Sequence, residues 1–348
     1  MKKGTATVAD IGSFDDIIDA RSPAEFEDDR IPGALSCPVL DNDQRAIVGT
    51  IYKQQSAFEA RRVGAAMVAD NIAHHLRERF ADKPKNWRPL VYCWRGGQRS
   101  GAFVTWLRMV GWDACQLEGG YKNWRRHVIA ELEELPNKLD FRVVGGPTGS
   151  GKTRVLEALA TLGEQVIDLE DLAAHKGSVL GALPDRDQPP QKLFETGLFT
   201  ALSGLDPKRP VYVEAESRKI GRIHLPEAMI LAMRAAPCVN IDATRDARLE
   251  FLVRDYAYLG DDIARLQERI DCLRGLQSNE TLDHWKQLAA AHALPELFGE
   301  FIDRHYDPLY KRSQNHNYVN FGAARAVATD DLSPAGIEAV AREIVRGA

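Results

Sequence analysis

The sequence predicts an α/β protein made of two parallel-sheet domains, the second with a helical C-terminal part. Three observations lead there. Short apolar runs alternate with helix-period patterns along the 348-residue chain. Leu90-Val91-Tyr92 runs into the loop Cys93–Ser100 and then into a stretch with Phe103, Trp106, Leu107 and Val110 at helical spacing. Phe141-Arg142-Val143-Val144 runs into a glycine-rich turn and a further helical run over 155–162.

Residues 14–19 read as a strand that ends in the polar turn Ala20–Pro23. Asp19 at its end is either a brace for a neighbouring loop or a solvated turn residue, and spacing does not choose between them. Ile31-Pro32-Gly33-Ala34 is a tight turn. Residues 71–80 read as a helix, 83–86 as a polar break and 113–117 as an edge strand; Gly119–Trp124 then turns into a closing helix. The charged, proline-containing stretch 131–138 breaks the pattern and sets the expected domains at 1–138 and 139–348. Beyond it, 165–168, 210–214 and 238–242 read as strands and 244–310 as mostly helical. Ser333-Pro334 opens a last helix through Val345.

Composition narrows the class. With 44% hydrophobic residues the chain can bury a sizeable core. Its mean hydropathy of -0.32 is ordinary for a soluble protein. No run approaches the roughly 20 apolar residues that span a bilayer, and the N-terminus lacks the apolar segment of a secretory signal. Five scattered cysteines, with no CxxC pair, fit a reducing compartment and argue against a cysteine zinc site, so a cytoplasmic protein is expected. The net charge of -5 excludes a generally sticky nucleic-acid binder but not a local basic face.

Two loops carry chemistry. In Cys93-Trp94-Arg95-Gly96-Gly97-Gln98-Arg99-Ser100, glycines let the backbone curl so that successive N–H groups converge. Arg95, Arg99 and the start of the following helix favour a thiolate at Cys93. The result is an activated nucleophile in an anion cradle; a buried structural cysteine would leave the glycines and arginines without a task. The second loop, Gly146-Pro147-Thr148-Gly149-Ser150-Gly151-Lys152-Thr153, is a complete G-x-x-x-x-G-K-[ST] motif between strand and helix. Gly146, Gly149, Ser150 and Gly151 allow N–H groups to wrap a diphosphate, Lys152 adds a point charge and Thr153 can ligate Mg²⁺. Asp168, Glu214 and Glu216 are candidate supporting acids at strand ends, or simply loop carboxylates. Arg218 and Arg222 belong to a basic cluster past the third strand, where ligands gather in open α/β sheets. Arg245, Arg248 and Arg254 read as a phosphate lid, an RNA path or surface ion pairs.

The segments Asp19–Phe26, Ile31–Ala34, the Cys93 loop and Leu117–Trp124 together resemble a rhodanese domain over about 120 residues. The common sulfur-carrying loop has four residues between cysteine and arginine, whereas Cys93 and Arg99 are separated by five. That spacing is similar to phosphatases on the same fold, which points to a phosphate-bearing chalcogen donor. The whole chain, through Gly49–Gln55, Tyr92–Gly97, Asp168–Glu170, His175–Ser178 and Val213–Gly221 as well, resembles the bacterial tRNA 2-selenouridine synthase family. The resemblance implies a tRNA-modifying transferase that replaces the sulfur of wobble 2-thiouridine with selenium. Selenophosphate is the donor and S-geranyl-2-thiouridine, made from geranyl diphosphate, the intermediate. It further implies Cys93 as selenium-carrying nucleophile and Arg95, Gly96, Gly97, Gln98, Arg99 and Ser100 as the selenophosphate loop. The diphosphate would sit on Gly146–Thr153, with no tightly bound cofactor and with Mg²⁺ as a candidate. Partners would be tRNA and a selenophosphate-supplying enzyme, with no membrane. The alternative is a rhodanese fused to an ATP-dependent small-molecule kinase or regulatory NTPase. A non-catalytic phosphopeptide-binding module would leave the nucleophile idle.

Overall fold

The computed structural model of the chain describes residues 4–178, 181–310 and 320–347. Its contacts divide into two compact units, Met1–Glu131 with Pro190–Thr200, and Leu132–Pro189 with Ala201–Ala348. Among the described residues no helix is long and apolar enough to cross a membrane.

The first unit is organised on five parallel strands: β1 (Thr5–Ala6), β2 (Asp16–Asp19), β3 (Leu35–Ser36), β4 (Pro89–Tyr92) and β5 (Cys115–Leu117), in the order β1-β5-β4-β2-β3. The central strand β4 is buried along its whole length, as a continuous apolar run in a parallel sheet should be. The strand expected at the edge, β5, is instead interior. Thr5 and Ala6 pair outside it with Gln116 and Leu117, and a two-residue strand is too short to show a period. The helix expected over 71–80 begins earlier, at Ala57, where Ser56 accepts the Glu59 N–H at 3.1 Å. Ile18, Phe80, Trp87, Val91, Phe103 and Leu107 form the core.

Asp19 is a brace, not a solvated turn residue. Fully buried, it pairs with Arg21 at 2.6 Å and accepts the Tyr92 hydroxyl at 2.5 Å. Arg21 in turn lies 4.0 Å over the Tyr121 ring and donates to the Asp29 carbonyl at 2.6 Å. Pro190–Thr200 completes this unit: Glu195 pairs with Arg125, Lys192 with Asp28 at 2.6 Å, and the Phe199 ring packs edge-on against Trp124.

The second unit has its own parallel sheet, of strands β6 (Asp140–Gly145), β7 (Gln165–Ile167), β8 (Pro210–Glu214), β11 (Cys238–Ala243) and β12 (Arg325–Thr329), ordered β12-β11-β6-β8-β7. A short hairpin, β9 (Lys219–Ile220) and β10 (Ile223–His224), follows β8. β12 was not expected. The sheet packs on a core of Val144, Leu156, Leu159, Ile241, Val327 and Ile344, closed by the helices Lys152–Thr161 and Pro334–Arg346. As expected, 245–301 is mostly helical; its four helices surround Trp285, Phe298 and Phe301.

Candidate active sites

The first site forms where β4 ends. Cys93 is buried at 3% exposure, directly before the helix Gln98–Val110, whose N-cap is Gly97. Its Sγ accepts the Gly97 N–H at 3.3 Å and the Ser100 hydroxyl at 3.1 Å. Gln116 donates to Ser100 Oγ at 2.8 Å and to the Gly97 carbonyl at 2.9 Å, which orients that hydroxyl and the loop together. The glycines are required sterically. Gly96 is left-handed (φ 62°), and a Cβ there would lie 2.6 Å from the Leu117 carbonyl.

The two arginines of this loop differ in role. Arg99 is paired with Glu25 at 2.6 Å, whereas Arg95 is exposed with no partner among the described residues. Gln98 is exposed beside it. Burial resists ionisation of Glu25, but the Arg99 guanidinium overrides it and holds the carboxyl down at about 2.

The second site forms at the carboxyl end of β6, between its neighbours β8 and β11, where an open parallel sheet leaves a crevice. Gly149 and Gly151 are left-handed (φ 84° and 74°), and Gly151 caps the helix that starts at Lys152. The Lys152 ammonium donates to the Gly146 carbonyl at 3.0 Å across the loop. Thr153 donates to Glu170 Oε2 at 2.8 Å, and the Glu170 N–H donates to Glu214 Oε1 at 2.8 Å. The hydroxyl oxygen of buried Ser150 and Glu214 Oε2 have no hydrogen-bond partner among the described residues.

Acids crowd beneath this loop. Burial, then the Asp168 charge, drives the Glu214 carboxyl well above the carboxylate range. Burial, then Glu170, pushes Glu216 up to about 8. Burial raises Asp168 to about 6, although the Asp171 N–H it accepts at 2.7 Å favours its anion. Among the described residues no three His, Cys, Asp or Glu side chains are placed to hold a metal ion on their own.

A cleft of about 800 Å³ opens above the loop. Its lining mixes the loop residues Gly146, Thr148, Gly149, Gly151, Lys152 and Thr153 and the acids Glu170 and Glu216 with Phe251, Leu252, Tyr256, Tyr306 and Leu309. Lys176 also lines it, paired with Asp255 at 2.5 Å and 4.1 Å from the Tyr256 ring centre.

The remaining candidates separate. Arg218 pairs with Glu227, Arg222 donates to the Gln188 carbonyl, and neither lines the cleft. Arg245 makes an exposed ion pair with Asp303, and Arg254 donates to the Leu332 carbonyl. Arg248 is buried behind the loop, donating to the Thr148 carbonyl at 2.9 and 2.8 Å and pairing with Asp307 at 2.6 Å. These three therefore form no lid; Arg248 braces the glycine-rich loop. Glu25, Glu170 and the apolar lining were not singled out as site residues, and Arg248 was read as a lid, RNA-path or ion-pair residue rather than a brace. Of the missed ones only Glu170 carried a signal, two residues after the candidate Asp168.

A model of the rhodanese-like domain matches residues 6–127, and one described as the tRNA 2-selenouridine synthase AAA domain matches 139–269. A tRNA 2-selenouridine synthase of Bdellovibrio bacteriovorus is 37% identical over a 353-residue alignment that covers 87% of this chain and 90% of that protein. The chain belongs to the tRNA 2-selenouridine synthase family. The Aeromonas salmonicida synthase is 34% identical, over 84% of this chain and 86% of its own. For the Nitrosomonas europaea synthase, 35% identical, the alignment takes in 69% of this chain but 63% of that protein. In this family member the Cys93 loop lies in the rhodanese-like match. The glycine-rich loop Gly146–Thr153, Glu170, Glu214, Glu216 and Arg248 lie in the match to the synthase AAA domain, whereas Tyr306 and Leu309 lie beyond it.

Proposed function

We propose that the chain is a tRNA-modifying transferase that converts wobble 2-thiouridine to 2-selenouridine with selenophosphate, through an S-geranyl intermediate made from geranyl diphosphate. The observation that carries this reading is the mixed lining of the cleft. A loop with the diphosphate-binding motif shares it with phenylalanine, leucine and tyrosine side chains, which suits an anion attached to a hydrocarbon chain.

In the prenyl step the thiouridine sulfur bonds to C1 of the geranyl group as the C1–O bond breaks. The departing diphosphate carries the developing charge, which Lys152 and the loop N–H groups stabilise. A Mg²⁺ ion, when bound on the diphosphate, would supply further charge neutralisation. Thr153 and Glu170 offer it hard oxygen donors 2.8 Å apart, and Mg²⁺ needs only one or two protein ligands beside phosphate and water. In the selenium step C2–Se forms as C2–S breaks. Geranylthiolate leaves, and the phosphoryl group of the donor ends on water. No oxidant or reductant enters the balance. Cys93, whose sulfur accepts two hydrogen bonds, is the nucleophile on the selenophosphate: S–P forms as P–Se breaks, the released selenide attacks C2, and water then cleaves S–P to free phosphate. The tRNA and a selenophosphate-supplying enzyme are then the partners, and the cytoplasm is the compartment.

Mass analysis of the wobble uridine separates the steps. Lys152→Ala should lose geranylation; Cys93→Ser should keep it and accumulate S-geranyl-2-thiouridine without selenium. Normal geranylation by Lys152→Ala would remove the phosphate loop from the reaction. Robust ATP turnover without tRNA would favour the kinase or NTPase reading instead.

A further inference from the structure

The stretch Gly49–Gln55 lies outside both loops. It falls at the end of the helix Asn42–Gln54, which with Ala57–Glu78 makes a helical hairpin in the first unit. The hairpin packs closely inside: a Cβ on buried Gly64 would come within 3.2 Å of Val48. Its far end is not closed in this way. Tyr52 is 63% exposed and Phe58 is 65% exposed, on either side of the two-residue turn. Lys53 and Arg61 are exposed there with no ionic partner among the described residues. Arg62 is also exposed but held by Glu59 at 2.8 Å. Phe58, Arg61 and Arg62 are three and four residues apart, so they neighbour one another on one helix.

The near end of the hairpin adjoins the Cys93 loop. Asn42 Oδ1 accepts the Ala24 N–H at 3.0 Å, and Arg45 lies 3.9 Å from Glu25, the carboxylate that holds Arg99. From Arg45 to Tyr52 is about 10 Å along the helix axis. That is a short walk along a single-stranded loop. Resting on the reading above, we propose that the tip of this hairpin is the surface that grips the tRNA anticodon loop. Unpaired bases flanking the wobble position stack on Tyr52 and Phe58, and Lys53 and Arg61 take the phosphates between them. Exposed aromatic rings interleaved with cations are the surface chemistry of single-stranded RNA recognition, and every base offers a face to stack on.

The test uses the full-length protein with a 2-thiouridine-bearing tRNA and, separately, a 2-thiouridine dinucleotide too short to reach the tip. Tyr52→Ala/Phe58→Ala should weaken tRNA binding at least tenfold. Lys53→Ala/Arg61→Ala should lower the slope of log Kd against log salt by about 2, one per lost phosphate contact. Both variants should modify the dinucleotide at the wild-type rate. Unchanged tRNA affinity and salt slope in both variants would overturn the proposal while leaving the proposed activity standing. So would a change of mass in solution for the aromatic variant with tRNA affinity kept, which would mark the tip as a self-association surface. A wild-type protein that binds no tRNA and modifies neither substrate would overturn both readings.

Discussion

Glu25 accepts the Arg99 guanidinium at 2.6 and 3.3 Å, so the arginine that closes the Cys93 loop is anchored on a helix seventy-four residues earlier in the chain. The carboxylate takes both terminal nitrogens of the guanidinium and so fixes the plane of its fork. The same pair makes the first unit sensitive to acid.

Because the folded carboxyl of Glu25 sits at about 2, below its ordinary 4.5, its contribution to stability is present above pH 4.5. It is lost as pH falls from there toward 2. Glu25→Gln should therefore be less stable than wild type at pH 7 and nearly equal to it near pH 2. Urea midpoints at pH 7, 4 and 2.5 check this; a gap that does not close toward low pH would show that the pair does not titrate as described.

Ser100 donates to the sulfur and is itself oriented by Gln116. Ser100→Ala should slow alkylation of Cys93 by iodoacetamide at fixed pH about fivefold, the effect of one hydrogen bond worth about 1 kcal/mol. Gln116→Ala should act in the same direction and add little in the double variant, since both remove one arrangement. Additive losses would mean that Gln116 acts by another route.

In the second unit the sign reverses. Glu216 is raised to about 8, so its neutral form is favoured by folding, and stability falls as pH rises from about 4.5 through 8. Glu216→Gln, which mimics the neutral acid, should gain on wild type across that window and hold its advantage at pH 9. Thermal melts from pH 5 to 9 read this directly. Parallel curves would place the proton elsewhere in the cluster.

Arg248 is buried, and two of its donors meet a loop carbonyl. Arg248→Ala should cost about 3 kcal/mol, as removal of one partner from a buried pair does, because Asp307 and the Thr148 carbonyl lose their donor. Arg248→Lys should recover only part of it, since an ammonium cannot fork between two acceptors. Equal stability of the lysine variant and wild type, by denaturant midpoint, would contradict the clamp.

Leu309 lines the cleft and is 40% exposed, so it packs little core. Leu309→Ala should raise KM for geranyl diphosphate about threefold to tenfold, while inhibition by free diphosphate stays constant, because only the hydrocarbon loses area. Equal shifts for both would move the prenyl chain off Leu309.

What could be read in the sequence was local. Both strand–loop–helix sites depend on residues within about fifteen positions, and glycine, cysteine and lysine announce them at fixed offsets. Partners at long separation did not show. Nothing near Glu25 points to Arg99, and nothing near Arg248 points to a carbonyl one hundred residues earlier. Short strands were the other loss: Thr5–Ala6 has no period, and Arg325–Thr329 has only three apolar residues, two of them alanine, between polar ends.

The return of Pro190–Thr200 to the first unit alters how the chain can be divided. A fragment ending at residue 138 would leave Arg125 without Glu195 and the Trp124 ring without Phe199. Residues 190–200 lie within the stretch matched by the synthase AAA domain, yet they pack with the first unit. The two halves are thus not interchangeable cassettes. A recombinant that swaps one half at the obvious seam would inherit a hole in its first unit, and descent would tend to carry both sites together.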